Sequence, residues 1–513
     1  MLSKVNSIGL LGLEGYPVQV EVDVFNGLPS LSIVGLPDMA VKESRERVCS
    51  SIKNSGYIFP QKKITINLAP AYIKKEGPVY DLAIAVGLLM ASEQLTGDIK
   101  DTAFLGEMSL DGKLSHINGI LPMVIEARNK GFKTVVLPEK DAHEASYVQG
   151  IDILPVKDLS QLVNHLSGKE KISFYPHSKW DINAKSRDTI DFSHIKGQKF
   201  SKRALEIAAA GGHNILFIGT PGSGKTMLAR AAAGILPDMS FEEALEVTKV
   251  HSIVGGLNEN NGIVVKRPFR SPHHTISTVA LTGGGTRALP GEISLANNGV
   301  LFLDELPEFS KSALEALRQP LEDGMITISR ANAKVSYPAN FMLIAAMNPC
   351  PCGNFGSPTN ECRCTPVQIK NYLNRLSGPF LDRIDIQMEM GPITYKEFKK
   401  DGNEESSVEV KKRVDTARKV QNERYIKDGI YCNSQLNSEL LKKYCVLDSG
   451  ADMILEKASN TFNFSARTMT RLIKVSRTIA DLNGEKNITA KHIAEAIQFR
   501  TLDRKYWGNY YEL

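Results

Sequence analysis

The run Gly219-Thr220-Pro221-Gly222-Ser223-Gly224-Lys225-Thr226 sets glycines, a lysine and a hydroxyl at the spacing that holds phosphates. It fits G-x-x-x-x-G-K-[ST] at every fixed position. An apolar run at 214–218 reads as a buried strand before it, and 227–233 as a helix after it, which is the context the pattern needs. Backbone N–H groups of such a loop and of the following helix start can surround a triphosphate. Lys225 would reach the β- and γ-phosphates, and Thr226 would ligate Mg²⁺. The chain is therefore read as a nucleotide-binding ATPase or GTPase.

Other residues fit the same chemistry. The apolar stretch 299–303 ends in Asp304 and Glu305. Behind a phosphate loop, Asp304 would hold Mg²⁺ directly or through water, and Glu305 would polarise the attacking water as general base. A third apolar run, 341–347, ends at Asn348. Its amide could orient water against the γ-phosphate, or it could form a turn before Pro349. Arg383, in Leu381-Asp382-Arg383-Ile384-Asp385, reads either as a structural ion pair or as a group aimed at a neighbouring subunit's phosphate. Arg467 and Arg471 lie four apart in a helical pattern with Leu472, Val475, Ile479 and Leu482, and so share a face. They are either solvated or placed to close a lid on the nucleotide.

These elements, in this order, resemble the AAA+ ATPases, and more closely the magnesium-chelatase-like branch and its ComM/YifB family. The likeness is carried by GTPGSGKT, by PGEISLANNGVLFLDELPEF at 290–309, by AAMNPCPCG at 345–353 and by SGPFLDRIDI at 377–386. It runs from near the first residue almost to the C-terminus. The resemblance implies that Asn348 is sensor 1, Arg383 the arginine finger and Arg467 sensor 2, with Arg471 its neighbour. It implies a homo-hexamer that hydrolyses ATP with Mg²⁺ and moves on DNA, as a helicase or branch-migration motor in the recombination of incoming single strands. The chelatase relatives imply the alternative, a metal-insertion or protein-remodelling ATPase without a DNA substrate.

Four of the seven cysteines, Cys350, Cys352, Cys362 and Cys364, fall in a loop rich in Gly, Asn, Pro, Ser and Thr. Their thiolates can converge tetrahedrally on Zn²⁺. The C-x-C spacing strains each pair as a chelate, and a reduced cysteine-rich turn is the other reading. Cys49, Cys432 and Cys445 stand alone. An odd cysteine count in a long chain argues against a disulfide framework.

The elements that must position these groups divide the chain of 513 residues, a length that implies roughly three domains. The fold class is α/β. Residues 1–168 form an α/β domain, 169–191 a linker, 192–395 the P-loop core and 396–513 an all-helical lid. In the first domain, alternation of Val18, Val20, Val22 and Val24 marks a strand. Strands are also expected at 63–68, 104–110, 134–137 and 151–154, and helices at 38–53, 80–91 and 121–130. The segments at 77–89 and 104–141 resemble the proteolytic domain of Lon proteases. That resemblance puts Val79 where the nucleophilic serine belongs and Leu121 at about the lysine position. Neither side chain can attack a carbonyl or take a proton, so this domain is read as a ring-forming or docking platform rather than a protease.

Between 249 and 291 lie Lys249, Lys266, Arg267, Arg270 and Arg287 against the single acid Glu259, with His251, His273 and His274. The resemblance makes this a loop segment facing a central pore, where a basic lining suits a phosphate backbone. A solvated loop serving the nucleotide or a subunit contact is the other reading. The whole chain carries a formal charge of only +5 and is 42% apolar. No apolar run approaches the roughly 20 residues of a membrane span, and no leader is apparent, which places the protein in the cytosol.

Overall fold

The computed structural model describes residues 1–181, 190–257, 262–330, 333–358, 360–392 and 404–507. The chain forms two compact units. One comprises Met1–Asn183, Ser240–Val265 and Ser329–Tyr337, the other Ala184–Met239, Lys266–Ile328 and Pro338–Leu513. The expected boundary at 395–396, most of the charged segment after it, residues 182–189 of the expected linker and Glu259 lie outside the described residues.

The first unit is built on strands β1 (Leu2–Leu11), β2 (Glu14–Phe25), β3 (Ser30–Val34), β4 (Lys63–Ala69), β5 (Thr102–Phe104), β6 (Thr134–Pro138) and β7 (Asp152–Val156). They form one seven-stranded sheet in the order β3-β4-β2-β1-β5-β6-β7. The pairs β1/β2 and β2/β4 are antiparallel, and the remaining pairs are parallel. The valine alternation in β2 does what period two requires: Val18, Val20, Val22 and Val24 are all buried. Helices α1 (Met39–Asn54), α2 (Asp81–Ala91) and α3 (Ile120–Asn129) accompany the sheet. In place of the expected strand at 104–110, β5 ends at Phe104, and only Glu107–Met108 pairs again, with Leu114–Ser115. The strand β1 carries no clean alternation, because Ser3 and Ser7 point inward. Their hydroxyls are satisfied by Gly87 O and Phe104 O, each at 2.8 Å.

The second unit holds a five-stranded parallel sheet of β8 (Ile215–Gly219), β9 (Phe269–Arg270), β10 (Val300–Leu303), β11 (Met342–Met347) and β12 (Ile386–Met390). Its order is β9-β10-β11-β8-β12. Every residue of β8, β10 and β11 is buried, which is why these strands read as unbroken apolar runs. Helix α4 (Lys199–Gly211) precedes β8 and α5 (Lys225–Ala231) follows the glycine-rich loop after β8. Helix α6 (Pro366–Leu373) comes after the cysteines. The C-terminal region is helical, as expected, with α7 (Ser407–Tyr425), α8 (Ala466–Leu482) and α9 (Leu502–Trp507) among its helices. The α8 stripe of Leu472, Val475 and Ile479 is buried. In open parallel sheets ligands sit at the carboxyl ends of the strands. Here β8 ends in Gly219, β10 is followed by Asp304, and β11 by Asn348.

Candidate active site

The loop from Gly219 to Thr226 leaves β8 and enters α5 with Gly222 at φ +77° and Gly224 at φ +90°, a region only glycine enters cheaply. Lys225 starts the helix and is buried. Its ammonium donates to Gly219 O at 2.7 Å, Thr220 O at 3.0 Å and Asn348 Oδ1 at 3.2 Å. Burial lowers its pKa, and Asp304 partly offsets this. The Thr226 hydroxyl donates to Asp304 Oδ2 at 2.7 Å, and Asp304 Oδ1 accepts from the Glu305 amide at 2.9 Å. The tertiary fold thus gathers Lys225, Thr226, Asp304 and Asn348 from three strand ends. In the same loop the buried Ser223 hydroxyl has no hydrogen-bond partner among the described residues. A buried ammonium, an unpartnered hydroxyl and a loop rich in N–H groups fit a polyphosphate. A hydroxyl beside a carboxylate, both hard oxygens, fits Mg²⁺.

Glu305 takes a left-handed backbone at φ +52°, a conformation that costs a non-glycine residue about 1–3 kcal/mol and concentrates at functional sites. Its carboxylate lies 3.3 Å from His274 Nδ1, and the His273 ring packs on His274 at a centroid distance of 4.1 Å. Both histidines lie in the segment expected as a loop. The signal for His274 is topological: it follows β9, and β9 pairs with β10, the strand that leads to Asp304 and Glu305.

The three arginines have different surroundings. Arg383 is buried and donates to Arg318 O at 3.0 Å, Pro379 O at 2.5 Å and the Glu322 carboxylate. Its ion pair is with Glu322, not with its neighbours Asp382 and Asp385. Arg471 pairs with the buried Asp385 and donates to Arg383 O at 3.3 Å. Asp385 also lies 3.6 Å from His213, and these partners hold its carboxyl well below the usual range despite burial. Arg471 is therefore committed to tying α8 to the segment before β12. Arg467, one turn earlier, is exposed and has no hydrogen bond or ion pair among the described residues.

The four loop cysteines converge. Their sulfurs all lie within 4.8 Å of one another. Cys350 Sγ is 3.4 Å from Cys352 Sγ and 3.7 Å from Cys362 Sγ, and Cys352 and Cys362 are 3.6 Å apart. Zn–S bonds of about 2.3 Å in a tetrahedron require S···S edges of about 3.8 Å, so the donor set fits the ion. All seven cysteines are free thiols.

The basic segment is partly spent on its own fold. Arg267 donates to Pro237 O at 2.6 Å and Asn298 O at 2.7 Å, and Arg270 holds Glu292 through two bonds of 2.6 and 2.7 Å. Lys249 lies in the helix Phe241–Ile253, which belongs to the first unit, and burial lowers its pKa. Lys266 and Arg287 are exposed. In the first unit Val79 and Leu121 are both buried. At Leu121 the backbone N–H donates to Glu144 Oε1 at 3.0 Å, and the Ser252 hydroxyl donates to the same oxygen at 2.5 Å. Burial pushes the Glu144 carboxyl up to about 7.

Comparison with known proteins agrees along the whole length. Residues 191–398 match the family described as magnesium chelatase, subunit ChlI. Residues 20–141 match subunit ChlI of Mg-chelatase, and 404–500 match the ChlI C-terminal family. The chain is 45% identical over 508 residues to the competence protein ComM of Haemophilus influenzae, covering 98% of each chain. It is 45% identical over 513 residues to the uncharacterized protein YifB of Escherichia coli, again covering 98% of each. A Lon protease of Trichlorobacter lovleyi is 23% identical over 171 residues, 31% of this chain and 21% of that one. No helix among the described residues is long and apolar enough to cross a membrane.

Proposed function

The chain belongs to the ComM/YifB family of magnesium-chelatase-like proteins, and from that premise we propose that it is an ATP-hydrolysing hexameric motor acting on DNA, with helicase or branch-migration activity. The observation that carries the ATPase reading is the meeting of Lys225, Thr226, Asp304 and Asn348 at one edge of the parallel sheet. Bound Mg·ATP supplies the phosphoanhydride and the cation that neutralises it. Lys225 would give up its backbone acceptors for phosphate oxygens, and Thr226 and Asp304 would hold the cation. Glu305 takes the proton of the attacking water, and Asn348 orients that water. Arg383 reaches the phosphate of a neighbouring subunit, and Arg467, which is exposed and has no hydrogen bond or ion pair among the described residues, closes from the lid.

The DNA reading is supported by the relative whose name is a competence protein and by the exposed cations Lys266 and Arg287. Zn²⁺ in the Cys350, Cys352, Cys362 and Cys364 cluster is part of the same reading, as a structural ion. The residues 1–168 act as a platform without protease chemistry, since Val79 and Leu121 offer no nucleophile or base. The second reading, a chelatase-like or protein-remodelling ATPase, is favoured by the ChlI matches. The deciding experiment measures ATP turnover and branch migration with purified protein. Stimulation by single-stranded or branched DNA supports the motor. Turnover indifferent to DNA and raised only by a protein partner supports the alternative.

A further inference from the structure

The cysteine loop runs from Asn348 at the end of β11 to the start of α6. Upstream, Asn348 is joined to Cys350 through Pro349 alone, and Cys350 is fully buried. Downstream, Thr365 follows Cys364 directly and caps α6 by accepting from the Gln368 amide at 3.3 Å. Tyr372, near the end of α6, is buried. Between these ends the chain presses on the phosphate loop itself. Gly353 sits at φ +82°, and a Cβ there would lie 2.6 Å from Pro221 Cδ, 2.7 Å from Pro221 Cγ and 3.9 Å from Asn348 Cγ. The turn that brings Gly353 into place is made by Cys350: its carbonyl accepts from the Gly353 amide at 3.0 Å, and its sulfur accepts from the Phe355 amide at 3.3 Å. Phe355 in turn packs edge-on to Tyr506 of α9, with ring centroids 6.5 Å apart.

We propose that the metal held by Cys350, Cys352, Cys362 and Cys364 is a prop of the nucleotide cradle, fixing the Gly353 turn against Pro221 and Asn348 against Lys225. This rests on the reading of the cluster as a zinc site and adds a task to it. Among the described residues from 348 to 365 the loop has no regular secondary structure, so without cross-links its backbone would sample many conformers, and ordering them costs conformational entropy. Four metal–sulfur bonds replace the missing hydrogen-bond ladder. The close approaches of the Gly353 turn fall on Pro221, which follows the Thr220 carbonyl that holds the lysine ammonium, and on Asn348, whose amide oxygen also holds it. A site whose walls are set this way couples metal occupancy to nucleotide affinity, and nucleotide binding to the ligand field of the metal. The four cysteines are positioning residues.

The test uses full-length protein with metal content measured by emission spectroscopy, and protein in which Co²⁺ replaces Zn²⁺ so that thiolate charge-transfer and d–d bands report the knot. Addition of Mg·ADP is expected to shift those bands. Gly353→Val keeps all four thiols and is expected to retain one metal per chain while binding Mg·ADP about tenfold or more weakly. Cys432→Ser, a thiol outside the cluster, is expected to change neither. Protein without stoichiometric metal overturns the zinc reading and this inference with it. Stoichiometric metal with bands unmoved by Mg·ADP overturns the inference and leaves zinc standing, as does unchanged affinity in a metal-loaded Gly353→Val. If Gly353→Val does not fold, the cobalt bands of the unaltered protein decide.

Discussion

Arg383 separates a structural arginine from a finger that works between subunits. In its own chain the guanidinium bonds two backbone carbonyls and Glu322, whose side chain is 57% exposed. An ion pair screened to that degree contributes no more than about 1 kcal/mol. A finger lowers the barrier by a factor of about 10³–10⁵, equal to about 4–7 kcal/mol. The Glu322 tether is therefore cheap to break relative to the gain. Glu322→Gln is expected to leave ATP turnover within a few-fold of the parent, whereas Arg383→Ala loses about 10³ or more while each subunit still binds nucleotide. Because Lys225 and Arg383 serve different active sites under this scheme, equal mixing of Lys225→Ala and Arg383→Ala subunits leaves about one quarter of sites with an intact lysine and an intact incoming arginine, by the statistics of a head-to-tail ring. The assay is steady-state phosphate release on rings shown to contain both variants. Mixed rings with no recovered turnover, together with a lowered unfolding midpoint for Arg383→Ala, would refute the trans assignment and leave Arg383 as a packing residue.

Glu305→Gln is expected to bind ATP and turn it over at least about 10²-fold more slowly, and normal turnover would remove it as the base. His274→Ala frees the Glu305 carboxylate and is expected to change kcat with little change in nucleotide Kd; equal changes in both would mean that His274 only supports the loop. Lys266→Ala with Arg287→Ala is expected to weaken DNA binding for all sequences alike and to make the log–log salt slope shallower by about 1.4 on single strands, and an unchanged slope would move the DNA contact elsewhere. In the first unit, the folded pKa of Glu144 lies near 7 against 4.5 for the free group. Between those values the folded state keeps a proton that the unfolded state loses, so this group subtracts stability as pH rises through that window. Glu144→Gln keeps the oxygen that accepts from Leu121 and Ser252, and is expected to raise the unfolding free energy at pH 8 by up to about 3 kcal/mol, but not near pH 4.5. A pH-independent difference would contradict the raised pKa.

The places of the Gly219–Thr226 loop, of Asp304 and Glu305 and of Asn348 in the fold are legible in the sequence because their physics is local. Three fully buried parallel strands must be unbroken apolar runs, and the residue after each run must stand at the ligand edge of the sheet. The cysteine cluster is legible for the same reason, since four thiols within fifteen positions can meet without help from the rest of the fold. Local patterns say nothing about which partners a charged side chain finds across the chain. Arg467 and Arg471 share a helix face, yet only the tertiary structure gives Arg471 to Asp385 and leaves Arg467 exposed, without an ion pair among the described residues. Arg267 and Arg270 count as free cations in a charge tally, and the fold spends both on internal acceptors. The strand β1 is invisible to alternation because its inward serines are satisfied by carbonyls that reach it from residues 84 and 97 positions away. His274 meets Glu305 only because β9 pairs with β10. The sequence determined the chemistry that the chain can hold, through spacing and burial along each strand. The tertiary structure decided which charges remain available for that chemistry, because pairing energy depends on distance through space and not along the chain.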